Sequence, residues 1–343
     1  MKRNIVEFDV MKFALMIFVI AGHLAPNNIV TPSANFVDRF LSHAFIGCGM
    51  PLFFFMSGYL SYQGFHAKTI RQILERNLRI IWPAVTTGIL FAMLGWAIGD
   101  YCGSEALSYP YHHFRGLWFT QALFIVSSIV GVIYRVVKSG KGRIAALIVV
   151  YLAFLFGPTE NRFINLALPM HMFPYFIFGL AVKKFGNDLW KNKFIALPCG
   201  IVFCIVCLFE GDIRHNGMGF YWASTLWRDV LLTWHGFSTM IAHNIVGMTG
   251  IIFALWLVKN TIDSLPQGGG GGIAVYGRTS LGVYVLHGWF LVQLGKVSVM
   301  PLHWYFKWPI AICIFFAMHY VVVLIRRNRI GRLVMFGEKQ RGL

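Results

Sequence analysis

Lys12 and His23 stand inside the first apolar run of the chain, Val10 to Leu24, which reads VMKFALMIFVIAGHL. An ionisable residue in such a run is costly and marks a functional site by default. Eleven residues at ~100° each return to within roughly 20° of the starting direction and advance about 16 Å along a helix. Both side chains therefore leave the helix in one direction, with a cation near its start and a titratable imidazole three turns on. A cation can hold an anion, and an imidazole can move a proton near neutral pH.

Further polar residues interrupt other apolar segments. In RQILERNLRIIWP, Arg76 and Arg79 lie three residues apart on one helical face. They suit a phosphorylated ligand, or they flank a membrane span as ordinary inside-facing positive charge. Asp9 precedes Lys12 by three residues and is placed to hold it. PLFFFMSGYL supplies the Ser57 hydroxyl and Gly58, whose default reading is close helix packing. No Gly-x-Ser-x-Gly elbow surrounds that serine. Arg115 and Trp118 open a later apolar run as an interfacial belt, and Gly179 in FPYFIFGLAVKK reads as a packing glycine. In GRTSLGVYVLHGWF, Ser280, Tyr284 and His287 fall at intervals of four and three on one helix face, and His287 suits a core role as well as a catalytic one. The remaining histidines show no HExxH or similar register, and the six cysteines read as packing residues, so no metal centre is expected.

The elements that must position these residues are membrane helices. The 343 residues are 57% hydrophobic and 13% charged, with a mean hydropathy of +0.64, far outside the range of a soluble domain. Apolar runs near 8–25, 42–62, 80–99, 117–134, 144–157, 163–182, 194–209, 237–258, 279–298 and 307–325 predict about ten spans, the fifth being the shortest. With the N-terminus in the cytoplasm, the inside segments hold 22 of the Lys and Arg residues and the outside segments 7. That bias predicts both termini cytoplasmic, and it accounts for the net charge of +17 without nucleic acid. Met218 to Trp234, which carries Arg228 and Asp229, is expected outside as an amphipathic or re-entrant element. Pro266 to Gly272 reads as a flexible connector. Glu7, Asp9 and Lys12 argue against a cleaved signal peptide. Loops are short, so residues 1–343 are expected to form one membrane domain, an all-α bundle with no appended soluble domain, and no internal repeat supports an inverted-repeat transporter.

Taken together, Lys12 and His23 after FDVMK, FFFMSGYL, the Arg76/Arg79 pair before IIWP, LWF and SLGVYVLH resemble the acyltransferase 3 family of integral-membrane O-acyltransferases, over nearly the whole chain. Lys12 stands where Arg is commoner, and SGYL where SGFL is commoner. The resemblance implies transfer of an acyl group, usually acetyl from acetyl-CoA, to a hydroxyl of a sugar or a lipid-linked or polymeric glycan at the bacterial inner membrane. Acetyl-CoA would be a co-substrate, with no permanently bound cofactor. His23 and Lys12 would be catalytic residues, His23 as the general base, and Arg76 and Arg79, together with Lys12, would orient the donor from the cytoplasm. Ser57 and Trp118 would lie at the donor site or serve the oxyanion, as would a backbone N–H. Asp9, Ser280, Tyr284 and His287 are further candidates, His287 being the alternative base. The other readings are a succinyl or longer acyl group in the same family, and a non-enzymatic glycan-precursor transporter or flippase using the same polar residues as a pathway.

Overall fold

In a computed structural model, described for residues 5–32, 35–100, 102–156, 167–186, 188–215, 234–266, 269–298 and 300–338, the chain is helical almost throughout. The helices are α1 (Val6–Leu24), α2 (Phe36–Ala67), α3 (Ile70–Ala97), α4 (Gly103–Gly116), α5 (Trp118–Val136), α6 (Gly140–Phe156), α7 (Ala167–Phe185), α8 (Lys193–His215), α9 (Trp234–Asp263), α10 (Gly269–Gly277), α11 (Ser280–Val297), α12 (Lys307–Arg327) and α13 (Arg329–Phe336). Among the described residues the sole strand-like pairing is an isolated parallel bridge between Val30 and Leu302. Among the described residues, five helical segments are long and apolar enough to cross a bilayer: Phe36–Ala67, Ile70–Ala97, Trp118–Val136, Ile241–Asp263 and Trp304–Arg327. The protein is an all-α, multi-pass membrane protein. Helix α1 is outside that set because its nineteen residues include Glu7, Asp9 and Lys12.

Two compact units share the chain. Unit 1 comprises Met1–Phe45, Trp82–Gly116 and Leu257–Leu343, and unit 2 comprises Ile46–Ile81 and Leu117–Trp256. In unit 1, α1 buries Phe8, Leu15, Met16, Val19, Ile20 and Leu24 and packs against α10, α11 and α12. At one end the backbone of Asp9 lies so close to Gly277 that a Cβ there would overlap the Asp9 carbonyl. At the other, Gly295 gives Asn27 the same clearance. Glycine is required at both contacts because no side chain fits between the two backbones. Helix α13 ends at Gly337, whose φ of +60° is the left-handed cap that glycine adopts without strain.

Unit 2 is held by aromatic packing. Phe54, Phe55, Phe65, Tyr175, Phe176 and Trp190 are fully buried, and α2 meets α7 through two reciprocal glycines. Gly58 lies against the Phe176 carbonyl, and Gly179 against the Phe55 carbonyl. The close approach expected at Ser57 and Gly58 is thus a backbone contact with the segment around Gly179.

The glycine-rich stretch differs from its expected flexible character. Gly269–Gly277 is helical, and a Cβ on Gly270 would collide with Ile262. Packing against neighbouring helices outweighs the entropic cost of ordering glycine there. The predicted external element at Met218 to Trp234 lies outside the described residues, apart from Trp234 at the start of α9.

Candidate active site

Helix α1 carries His23 in its last turn, and α11 carries His287 two turns from its start. Their ring centroids are 5.4 Å apart. His287 is 3% exposed and its Nδ1 lies 2.5 Å from the Tyr284 carbonyl oxygen. A carbonyl only accepts, so Nδ1 carries the proton, and the lone pair of the neutral ring is on Nε2. His23, in contrast, is exposed. Gly22 and Gly288 flank the two imidazoles, and a Cβ on either would meet no atom of the described residues within 4 Å. An accessible imidazole beside a buried, tautomer-fixed one, with open space next to both, is an arrangement suited to proton transfer. Tyr284 and Ser280 are buried on the same helix, and the Tyr284 and His287 rings are 5.5 Å apart.

Three turns from His23 along α1, Lys12 Nζ donates to Asp9 Oδ1 at 3.0 Å. Asp9 is 7% exposed, and its second oxygen faces Arg278 Nε at 3.5 Å. Burying a carboxylate is costly unless it is paired, and here two cations share one. The sequence places Asp9 beside Lys12 through helical spacing, but Arg278 arrives from 269 residues away and reads in the sequence only as a topology charge.

Two further buried polar clusters of unit 1 carry no sequence motif. His113 on α4 sets Nε2 at 3.0 Å from Thr87 Oγ1, and it packs against Phe91 and Tyr109. Phe91 in turn stacks on Trp289 at 4.7 Å. Burial pushes the His113 imidazole down to about 4. Asp38 receives Lys307 Nζ on both carboxylate oxygens at 2.9 Å, and the two residues are 7% and 9% exposed.

The arginine pair belongs to unit 2. Arg76 Nη2 donates to buried Ser61 Oγ at 3.3 Å. Its neighbour Asn77 is 1% exposed, accepting from Ser127 Oγ and donating to Ser128 Oγ, each at 3.1 Å. That neutral seam fixes the α3–α5 contact and with it the direction of Arg76. Arg79 is exposed. Ser57 is half-buried on α2. Trp118 opens α5, ten residues and so about 15 Å along the helix from Ser128. Unit 2 therefore holds Trp118 away from the arginine pair. Among the described residues, no three His, Cys, Asp or Glu side chains gather closely enough to hold a metal ion.

Residues 5–327 match a family profile described as an acyltransferase domain. The chain belongs to the acyltransferase 3 family. No curated protein and no solved structure matches it. As a member of that family it is a membrane acyltransferase, and both residue pairs that first suggested the resemblance, Lys12 with His23 and Arg76 with Arg79, lie within the matched span.

Proposed function

We propose that the protein is an O-acetyltransferase of the bacterial inner membrane, moving acetyl from cytoplasmic acetyl-CoA to a hydroxyl of a sugar or envelope glycan. The observation that carries this reading is the His23–His287 pair in an acyltransferase 3 chain. His23, the exposed member, takes the proton of the acceptor hydroxyl as its oxygen attacks the thioester carbonyl. The tetrahedral intermediate collapses with cleavage of the C–S bond, and the protonated imidazole returns the proton to the leaving thiolate, giving the acetyl ester and free CoA. His287 is a positioning residue: its fixed tautomer presents Nε2 as an acceptor on the side away from Tyr284. Arg76 and Arg79 bind the donor phosphates, as charge-assisted hydrogen bonds favour. In this reading ten helices span the membrane with both termini in the cytoplasm, so Lys12 lies toward the donor side and His23 toward the acceptor side. The separation of about 16 Å between them along α1 is of the order that the extended pantetheine arm bridges.

The test is release of CoA thiol by purified protein given acetyl-CoA and glycan acceptor, with acetyl content of the product measured by mass spectrometry. His23→Gln is expected to lower turnover by about 10² to 10⁴, the usual range for loss of a general base, while acetyl-CoA still binds. Near-normal turnover in that variant removes His23 from the role. No acceptor-dependent thiol release by the unaltered protein removes the transferase reading in favour of transport.

A further inference from the structure

We infer that Arg278 holds a phosphate group of the acyl donor, in a second cationic site organised by Asp9 within unit 1. This rests on the reading that acyl-CoA is the donor. A guanidinium placed only to set topology needs no partner and is normally solvated. Arg278 instead has a buried carboxylate behind its Nε, the one already engaged by Lys12 on its other oxygen. Its terminal nitrogens meet no acceptor among the described residues, and its side chain is 50% exposed. The fork thus has its back held and its two-nitrogen edge free, the geometry that binds a phosphate bidentately.

The surroundings keep the fork in place and keep the site cationic. Gly277, the preceding residue, is locked against the Asp9 backbone. The Arg278 carbonyl accepts from Arg326 Nη1 at 3.3 Å, and Arg326 Nη2 donates to Glu338 at 3.1 Å. Arg326 Nε is buried with no hydrogen-bond partner among the described residues. Lys12, Arg278 and Arg326 therefore face two carboxylates, Asp9 and Glu338, leaving a net positive charge and spare donors. Arg278 lies in the turn that leads into α11, and His287 follows nine residues later, seven residues and so about 10 Å into that helix. A phosphate on Arg278 and a thioester near the imidazole pair would thus be presented by one continuous segment.

A phosphate can also come from a lipid headgroup, so the test separates the two sources. Full-length protein in nanodiscs is titrated with coenzyme A and with adenosine 3′,5′-bisphosphate, in phosphatidylcholine alone and with phosphatidylglycerol added. Arg278→Ala is expected to weaken coenzyme A binding about 10- to 150-fold, the loss of one charge-assisted hydrogen bond. Arg278→Lys should recover part of it, which also shows that the fold survives, and Asp9→Asn should have a smaller effect in the same direction. Unchanged coenzyme A affinity in Arg278→Ala, with Arg76→Ala binding weakly, overturns this inference and leaves the donor reading intact. No coenzyme A binding by the unaltered protein overturns both. A thermal stabilisation by phosphatidylglycerol that Arg278→Ala abolishes, with coenzyme A affinity unmoved, assigns the phosphate to lipid and overturns the donor site.

Discussion

Among the described residues, unit 1 buries Asp9, Asp38, His113, His287 and Lys307, while unit 2 buries Ser61, Asn77, Thr120, Gln121 and Ser127, none of which titrates. The histidines His171 and His243 of unit 2 are half-buried as residues, but His171 Nε2 and His243 Nδ1 are themselves enclosed. Neutral hydrogen-bonding groups can stiffen a helix contact at little net cost once satisfied, as the Asn77 seam does. Ionisable groups are different: each must be paired, neutralised or used. Among the described residues the buried carboxylates and the buried lysine are in unit 1, whereas unit 2 is packed by aromatics and glycines and carries an exposed Arg79 and a half-buried Arg76. Perturbed titratable groups concentrate at functional sites, although structural ion pairs share the signature. The variants below separate those two uses.

After His23→Gln, the largest effect should come from the buried member of the imidazole pair. His287→Gln keeps size and hydrogen-bonding capacity but removes the imidazole beside His23. Turnover is expected to fall by about 10² or more, with coenzyme A affinity unchanged, because no contact of His287 belongs to the cationic sites. A variant with normal turnover and lowered stability would make His287 a core residue and weaken the division between the units.

Asp38 and Lys307 offer the opposite use of buried charge. Neither is near a sequence motif, and their pairing joins the first turn of α2 to the first residue of α12. Removing one partner strands the other, so Asp38→Ala and Lys307→Ala should each destabilise by about 3 to 5 kcal/mol. Replacing both by apolar residues of similar size should recover most of that loss, and denaturant or thermal unfolding in detergent reads it. If the paired replacement also abolished turnover with stability restored, the ion pair would have to join the active machinery.

Local information accounts for what the sequence reveals, and long-range packing for what it conceals. Lys12, His23 and Asp9 share one helix, so spacing alone orders them. Gly58 and Gly179 are legible as packing residues because small side chains in membrane helices have few other uses. Arg278 and Lys307 register as members of a charge count because their partners are 269 residues away in each case. His113 carries no register with any other histidine. Pro266 to Gly272 reads as a connector because intrinsic propensity disfavours a helix in its glycines, and the close packing of Gly270 on Ile262 and of Gly277 on Asp9 accompanies the helix that forms over Gly269–Gly277.

His113 provides the smallest expected effect and the most selective test of buried charge in unit 1. Its ring is held neutral between Thr87, Phe91 and Tyr109, and burial lowers its pKa from the ordinary 6.5 to about 4. The unfolded chain takes up a proton near 6.5, whereas the folded chain resists until about 4. The unfolded state therefore binds more protons in that window, and stability rises with pH across it. The contribution is complete above pH 6.5, falls as the solution is acidified, and amounts to a loss of about 2 kcal/mol by pH 5. Unfolding followed at pH 7.5, 6 and 5 should show that decline in the unaltered protein. His113→Asn retains a partner for Thr87 without a titrating ring, so it should flatten the pH dependence while costing some stability at pH 7.5. An unchanged slope in that variant would move the acid sensitivity to another group and free His113 from the burden of a buried imidazole.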